Sequence, residues 1–269
     1  MITVLGASGF IGSHLVKTLS QRGLNFYAPQ RNEDLTGKDL GDIIYCIGLT
    51  ADAKYKPHET VEAQVCKLQD VIQCCTFRSI VYCSSTRVYI HNKENTNENA
   101  PISVDVNDSF ELFNLTKLLS ESLLKNTVKN YKSVRLSNII GNDFTSENFI
   151  TSIIKDAACD KKVVVRTTPD SSKDYIFIDD AVNLILQIAL SPDSKGIYNV
   201  ASGYNTNNEE ILNELSLLTG AEITYSENAE KIIFLPIDIS KIKVEFGFKP
   251  TQNIIGLLPN IIDSYRNIN

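Results

Sequence analysis

The residues with the strongest chemical implication stand at the amino end. Ile2–Leu5 is a short apolar run that leads into Gly6-Ala7-Ser8-Gly9-Phe10-Ile11-Gly12, after which the pattern turns helical. Glycines at a strand-to-helix bend permit a tight turn, close approach of the backbone to a phosphate, and close packing of helix on strand. The first amides of the helix and its positive end then face the anion. Gly6, Ser8, Gly9, Phe10, Ile11 and Gly12 are therefore the expected cradle for the pyrophosphate of a nicotinamide dinucleotide. At the end of the next strand, where an NAD site offers Asp or Glu to the ribose hydroxyls, the chain has Gln30-Arg31. A guanidinium there attracts a 2′-phosphate, so Arg31 tilts the expected cofactor toward NADP, with NAD as the alternative. Other chemistry is hard to find. His14, His58 and His91 are scattered, Cys74 and Cys75 are adjacent, and no C-x-x-C occurs, so no metal site is expected.

These residues need a frame. The chain has 269 residues, 43% of them hydrophobic, and a net charge of −6. It is long enough to bury a large core and lacks the basic balance of a nucleic-acid binder. No run reaches the roughly 18 apolar residues of a membrane span. The apolar start, Met1–Val16, has no basic leader and is broken by Gly6, Gly9 and Gly12, unlike a signal peptide. The expectation is a soluble, cytoplasmic protein with reduced thiols and neither membrane nor nucleic-acid partner.

Periodicity supplies the elements. Helices are predicted over Phe10–Arg22, with Ile11, Leu15 and Leu19 on one face, over Thr60–Phe77 and over Ser109–Lys129. Strands are predicted at Ile2–Leu5, Asn25–Ala28, Asp42–Gly48, Ser79–Ser84 and Ser133–Leu136. Such alternation implies βαβ units and a doubly wound parallel sheet of the Rossmann type, an α/β fold. Only about a dozen residues separate Arg31 from the Asp42 strand, too few for a full crossover, so that part is expected to be trimmed. Beyond residue 140 the pattern predicts helices at Glu147–Ala158, Asp179–Leu190, Asn208–Leu218 and Asn253–Tyr265. Short strands are predicted at Val163–Val165, Tyr175–Ile178 and Ile197–Val200. The expected division is a dinucleotide-binding domain over 1–140, rejoined by about 175–200, and a smaller α/β substrate lobe over 141–269.

Further segments, in order along nearly the whole chain, carry a family resemblance. Ile44-Tyr45-Cys46-Ile47-Gly48-Leu49-Thr50 looks like a strand ending beside a nicotinamide ribose, and Val81 to Tyr89 resembles an S-S-x-x-V-Y segment. Phe113-Asn114-Leu115-Thr116-Lys117 falls on Y-x-x-x-K, and Arg135 to Gly141 on R-x-x-N-x-Y-G. Lys173 to Asp180 resembles R-D-[FY]-I-x-V-x-D, and Ile197 to Gly203 a Y-N-I-G-S-G turn. Together with the glycine spacing, the chain resembles the extended short-chain dehydrogenase/reductase family of nucleotide-sugar epimerases, dehydratases and ketoreductases.

The resemblance implies a catalytic centre with one anomaly. It makes Ser85 the hydroxyl that bonds the substrate oxygen and Lys117 the cation that lowers a tyrosine pKa and holds the cofactor ribose. Ile47 and Gly48 are placed beside the dinucleotide, and Thr86, Asn138 and Lys173 on the nucleotide sugar. The tyrosine position is Phe113, which keeps the ring and loses the proton. It also implies a homodimer formed through the long helix Ser109–Lys129. Asp179 and Asp180 are expected to cap the helix that follows them. Dehydratases hold two acids after the hydroxyl residue, where this chain has Thr86 and Arg87, so dehydration is not expected. The implied activity is NAD(P)-dependent reduction of the 4-keto group of a nucleotide-linked 4-keto-6-deoxyhexose in polysaccharide biosynthesis, with 4-epimerisation as the alternative. A native Phe113 equally suits a catalytically silent dinucleotide-binding regulatory protein. An engineered tyrosine replacement, made to trap substrate, would leave the same residue.

Overall fold

The computed structural model describes residues 1–50, 52–142, 144 and 148–267. The buried run β1 (Ile2–Leu5) lies between β2 (Phe26–Tyr27) and β3 (Asp42–Tyr45). On the far side of β3 follow β4 (Ser79–Ser85), β5 (Tyr131–Leu136) and β9 (Gly196–Val200). All neighbours in this order, β2-β1-β3-β4-β5-β9, are parallel. The order reverses between β1 and β3, and a doubly wound sheet binds its ligand at such a reversal, outside the carboxyl ends of the strands. The trimmed crossover is real: β2 is two residues long and forms the sheet edge, and no helix separates it from β3.

One face of the sheet packs on α1 (Phe10–Gln21) and α6 (Ile178–Leu190), around Val4, Leu15, Ile44, Val81, Val134 and Ile185. The other face packs Ile43, Tyr45, Ile80 and Tyr82 against Leu68 and Leu124. Leu124 lies on α4 (Glu111–Thr127). The helix predicted over Thr60–Phe77 is interrupted: α2 (Pro57–Val61) passes through a π turn over Glu62–Cys66 into α3 (Lys67–Cys74). In the π turn, carbonyls accept from side chains: Tyr45 Oη donates to Ala63 O (2.6 Å) and Ser120 Oγ to Gln64 O (2.8 Å). Such turns often mark functional sites.

The remaining elements form a second apolar cluster around Ile150, Ile153, Leu212, Leu215, Leu257 and Leu258. These sit on α5 (Phe149–Cys159), α7 (Asn208–Thr219) and α9 (Ile254–Arg266). A three-stranded sheet, β10 (Asn205–Asn207), β8 (Ser172–Phe177) and β6 (Asn138–Ile140), and a two-stranded one, β11 (Glu222–Glu230) with β7 (Lys162–Thr167), complete this half. α8 (Ser240–Phe246) instead packs on β9, with Ile237, Ile239 and Ile242 in the core of the large sheet. β6, β10, β11 and α8 have no counterpart in the sequence prediction, because their residues are mostly polar or too few to show a period. Glu147, where one helix was expected to start, lies outside the described residues. Asp179 and Asp180 do not cap α6, which starts without a side-chain cap; Asp180 instead accepts from Thr251 N and Thr251 Oγ1, both at 2.8 Å. Among the described residues no helix is long and apolar enough to cross a membrane.

A buried ion pair joins the layers. Arg135 on β5 donates from Nε and Nη2 to Glu121 on α4, at 3.0 and 2.6 Å, and from Nη1 to Tyr89 Oη at 2.6 Å. Ser84 Oγ donates to the same carboxylate at 2.5 Å, and Tyr89 Oη to Asn199 Oδ1 on β9 at 3.0 Å. Removing one partner of a buried pair strands the other charge. Glu121→Ala is therefore expected to cost about 3–5 kcal/mol and to lower Tm by roughly 6 °C or more. Calorimetry checks this; an unchanged Tm would mean the pair is dispensable.

Candidate functional site

Three strand ends converge at the reversal. Gly6 closes β1 with φ +89°, a region that L side chains rarely adopt. A Cβ there would lie 2.9 Å from Cys46 C and Ile47 N, just past the end of β3. A Cβ on Gly12 would come within 2.1 Å of Gly6 O, so the first turn of α1 seats directly on the bend. Gly9 N donates to Gly6 O (3.0 Å), and Gly9 is the N-cap of α1 without a side-chain hydrogen bond. No acid occupies that first turn, whose amides have no intrahelical partners. Ser8 and Gly9 are exposed, and Phe10 and Ile11 half-buried, as a phosphate cradle requires. The residues present fit a dinucleotide diphosphate.

At the end of β4, Ser85 Oγ accepts from Arg87 N (3.1 Å) and caps a 3₁₀ turn over Thr86–Tyr89. Lys117 rises from α4, buried, and donates from Nζ to Cys83 O (2.9 Å). Its ammonium lies 5.0 Å from the centre of the Tyr82 ring and 5.6 Å from that of Phe113, one helical turn earlier. Burial pushes the Lys117 pKa down to about 8. A Cβ on Gly48 would sit 3.5 Å from Lys117 Nζ, so the segment after β3, with Ile47 and Gly48, reaches the same corner. Gln64, in the π turn, holds that segment: Nε2 donates to Leu49 O (2.9 Å), and Oε1 accepts from Thr116 Oγ1 (2.8 Å). The structure thus brings Ser85, Phe113, Lys117, Ile47 and Gly48 together beside the glycine bend.

The other expected residues are more dispersed. Arg31 is exposed, past the end of β2, and makes no ion pair among the described residues. Nearby, Glu33 accepts from Lys38 Nζ (2.7 Å), Tyr27 Oη and Gln30 N (3.1 Å); the Lys38 and Tyr27 bonds hold its carboxyl down at about 2. Asn138 is exposed at the start of β6 and donates to Asp174 O (2.9 Å). Lys173 is half-buried on β8, 5.6 Å from the centre of the Phe149 ring, and burial and then the charge of Arg87 push its pKa down. Thr86 is buried with its hydroxyl turned to Leu136 O (3.3 Å). Asp174 secures the turn after β9, accepting from Ser202 N, Ser202 Oγ and Gly203 N at 2.7–2.9 Å.

Two features were not assigned to the site from the sequence. Gln64 carries no signal of its role, because a π turn has no sequence period. Arg87 was visible as the residue after Thr86, but its surroundings were not. His91, Asp108 and Glu111 place ligand atoms within 4.8 Å of one another. Arg87 Nη2, 3.6 Å from the same Asp108 carboxylate, makes this an ion-pair network. All six cysteines are free, and Cys46 Sγ lies 3.5 Å from Cys83 Sγ; that contact and burial push the Cys46 thiol up.

Sheet order, glycine bend and reversal point define an α/β protein of the Rossmann type. A model of the NAD dependent epimerase/dehydratase family matches residues 2–201. The chain belongs to that family. Solved structures agree in fold. MoeE5 in complex with UDP-glucuronic acid and NAD is 19% identical at TM-score 0.82, over 100% of this chain and 99% of the other. RMD from Pseudomonas aeruginosa, complexed with NADPH, is 19% identical at TM-score 0.82 over the same shares. UDP-glucuronic acid 4-epimerase from Bacillus cereus, with UDP-glucuronic acid and NAD, is 16% identical at TM-score 0.83, again over 100% and 99%. No curated protein matches this sequence.

The Lys117 shift sets a pH dependence. Its folded pKa of about 8 lies below the ordinary 10.5. Between the two values the unfolded chain binds the proton more tightly, so stability rises with pH across that window. Below pH 8 the cost of burying the ammonium is fully present. Lys117→Met should therefore stabilise the protein at pH 7, by about 1–2 kcal/mol after loss of the bond to Cys83 O. The advantage should shrink from pH 8 to 10.5 in urea titrations; a constant difference would show that this lysine is not buried in its charged form.

Proposed function

We propose that this chain acts on C4 of a nucleotide-linked sugar with a nicotinamide dinucleotide, as a reductase of a 4-keto group. The carrying observation is the carboxyl end of β4, where the buried Lys117 bonds Cys83 O two residues before Ser85 and lies against Gly48, on the segment that meets the glycine bend. Gly6, Gly9, Gly12 and the first amides of α1 would hold the diphosphate, with Ile47, Gly48 and Lys117 along the nicotinamide ribose. A dinucleotide held there would supply the hydride. Ser85 Oγ already accepts from Arg87 N, so its own proton is available to the C4 oxygen. The exposed Arg31 favours NADP, and RMD, complexed with NADPH, supports that coenzyme on this fold. Asn138 and Lys173 would take the nucleotide diphosphate, a ligand type present in the UDP-glucuronic acid complexes of the neighbours.

Phe113 favours a second reading, a dinucleotide-binding protein that does not turn over. With a phenyl ring at this point, no phenol delivers the proton that must accompany hydride, and general acid catalysis commonly contributes 10²–10⁴-fold, to order of magnitude. Phe113→Tyr separates the two. The variant should oxidise NADPH with 4-keto nucleotide sugars roughly 10²–10⁴ times faster than the parent, followed by loss of absorbance at the reduced nicotinamide band. A variant that binds dinucleotide yet turns over none of them leaves the silent reading standing. A chain with no affinity for NAD or NADP sinks both.

A further inference from the structure

Arg87 lies one hydrogen bond from the hydroxyl of Ser85, yet its own side chain is poorly partnered. Its guanidinium is centred 4.8 Å from the middle of the Phe110 ring, with Nη2 3.6 Å from Asp108 Oδ2. Asp108 is shared: Oδ1 caps Phe110 N (2.8 Å), and Oδ2 also faces His91 Nε2 at 3.6 Å. None of the Arg87 side-chain N–H groups hydrogen-bonds a described residue, and Nε is fully buried without a partner. An orphaned buried donor is costly in a folded protein and calls for an acceptor.

Other cations surround the same spot. Lys54 Nζ lies 5.2 Å from the Phe110 ring centre, and Lys173 is close enough for Arg87 to affect its titration. Lys173 has no carboxylate in ion-pair contact among the described residues. A chain of net charge −6 thus gathers Lys54 and Arg87 on the Phe110 ring, with Lys173 within electrostatic reach of Arg87, opposite the carboxylates of Asp108 and Glu111. Two further buried polar atoms there lack hydrogen bonds, His91 Nε2 and Asn114 Oδ1.

Lys173 and Asn138 are the residues assigned to the diphosphate in the proposed function. Arg87 starts two residues from the group placed on the reacting carbon, so the anion it meets belongs to the ring and not to the nucleotide. We infer that Arg87 is a specificity-determining residue that pairs with a carboxylate on the sugar, making the substrate a nucleotide-linked uronic acid. Planar guanidinium matches planar carboxylate through two parallel hydrogen bonds, which a neutral hydroxymethyl or methyl group cannot offer. The 6-deoxy ring expected from the sequence is thereby replaced, while the C4 chemistry on which this inference rests stays as proposed.

The test is calorimetric titration of the full chain, saturated with dinucleotide, using matched pairs. Each pair is a nucleotide hexose and the corresponding nucleotide hexuronic acid, on uridine, guanosine and thymidine diphosphates. The uronic acid should bind at least about tenfold tighter within the pair that binds. That preference should collapse toward unity in Arg87→Met and in Arg87→Gln, with dinucleotide affinity unchanged in both as the measure of intact folding. Equal binding within the pair, or a preference that survives both substitutions, overturns the carboxylate assignment alone. If the chain binds dinucleotide but no pair at all, the nucleotide-sugar function itself fails and this inference with it.

Discussion

The pairing of Arg135 with Glu121 is the interaction from which the reacting corner hangs. A guanidinium and a carboxylate, both almost wholly buried, are expensive to bring out of water and are tolerated only when their remaining valences are filled. Here they are filled by Ser84, Tyr89 and, through Tyr89, Asn199. Asn199 in turn donates to Thr96 O and Asp238 O. One ion pair therefore fixes α4 against β4 and β5 and ties β9 to two distant loops. Ser84 precedes Ser85, and Glu121 is one turn beyond Lys117 on the same helix. The two groups proposed for chemistry sit on backbone whose position this network sets. Mobility at either is restricted by packing that neither makes itself.

Much of the fold was legible because burial dictates it. Ile2–Leu5, Ser79–Ser84 and Ser133–Leu136 are apolar or mixed runs too short for helices, and Leu15 and Leu19 repeat at helical spacing. The glycine bend was equally legible, since Gly6 and Gly12 have backbone where a Cβ cannot go. The shortened segment before Asp42 followed from chain length alone. What escaped was structure held by polar pairing. The strand Glu222–Glu230 is mostly exposed and keeps its place through its register with β7. The π turn at Glu62–Cys66 depends on Tyr45 and Ser120, far away in sequence. Asp180 was expected to serve its own helix and binds Thr251 instead, because a buried carboxylate takes the donors that tertiary packing brings.

At the site itself, residue types were readable and their electrostatics were not. Lys117 and Ser85 were named from the family resemblance, but only the structure shows the lysine desolvated against Tyr82 and Phe113 and bonded to a strand carbonyl. Arg87 read as a residue that removes an acid from the site. In place it adds a positive charge within reach of Lys173, which is already poorly solvated. A sequence gives the sign of each charge; the cost of holding two like charges out of water appears only when they are neighbours.

The abbreviated margin of the large sheet has its own consequence. With β2 reduced to Phe26–Tyr27 and no strand beyond it, the sheet ends early on the side where the adenosine half of a dinucleotide would lie. Grip would then be concentrated at the diphosphate and the nicotinamide ribose, with little apolar area to uncover on departure. Residence time follows from what must be broken to leave. Under the proposed function, such a margin would favour handing spent coenzyme back to the surrounding pool after each cycle.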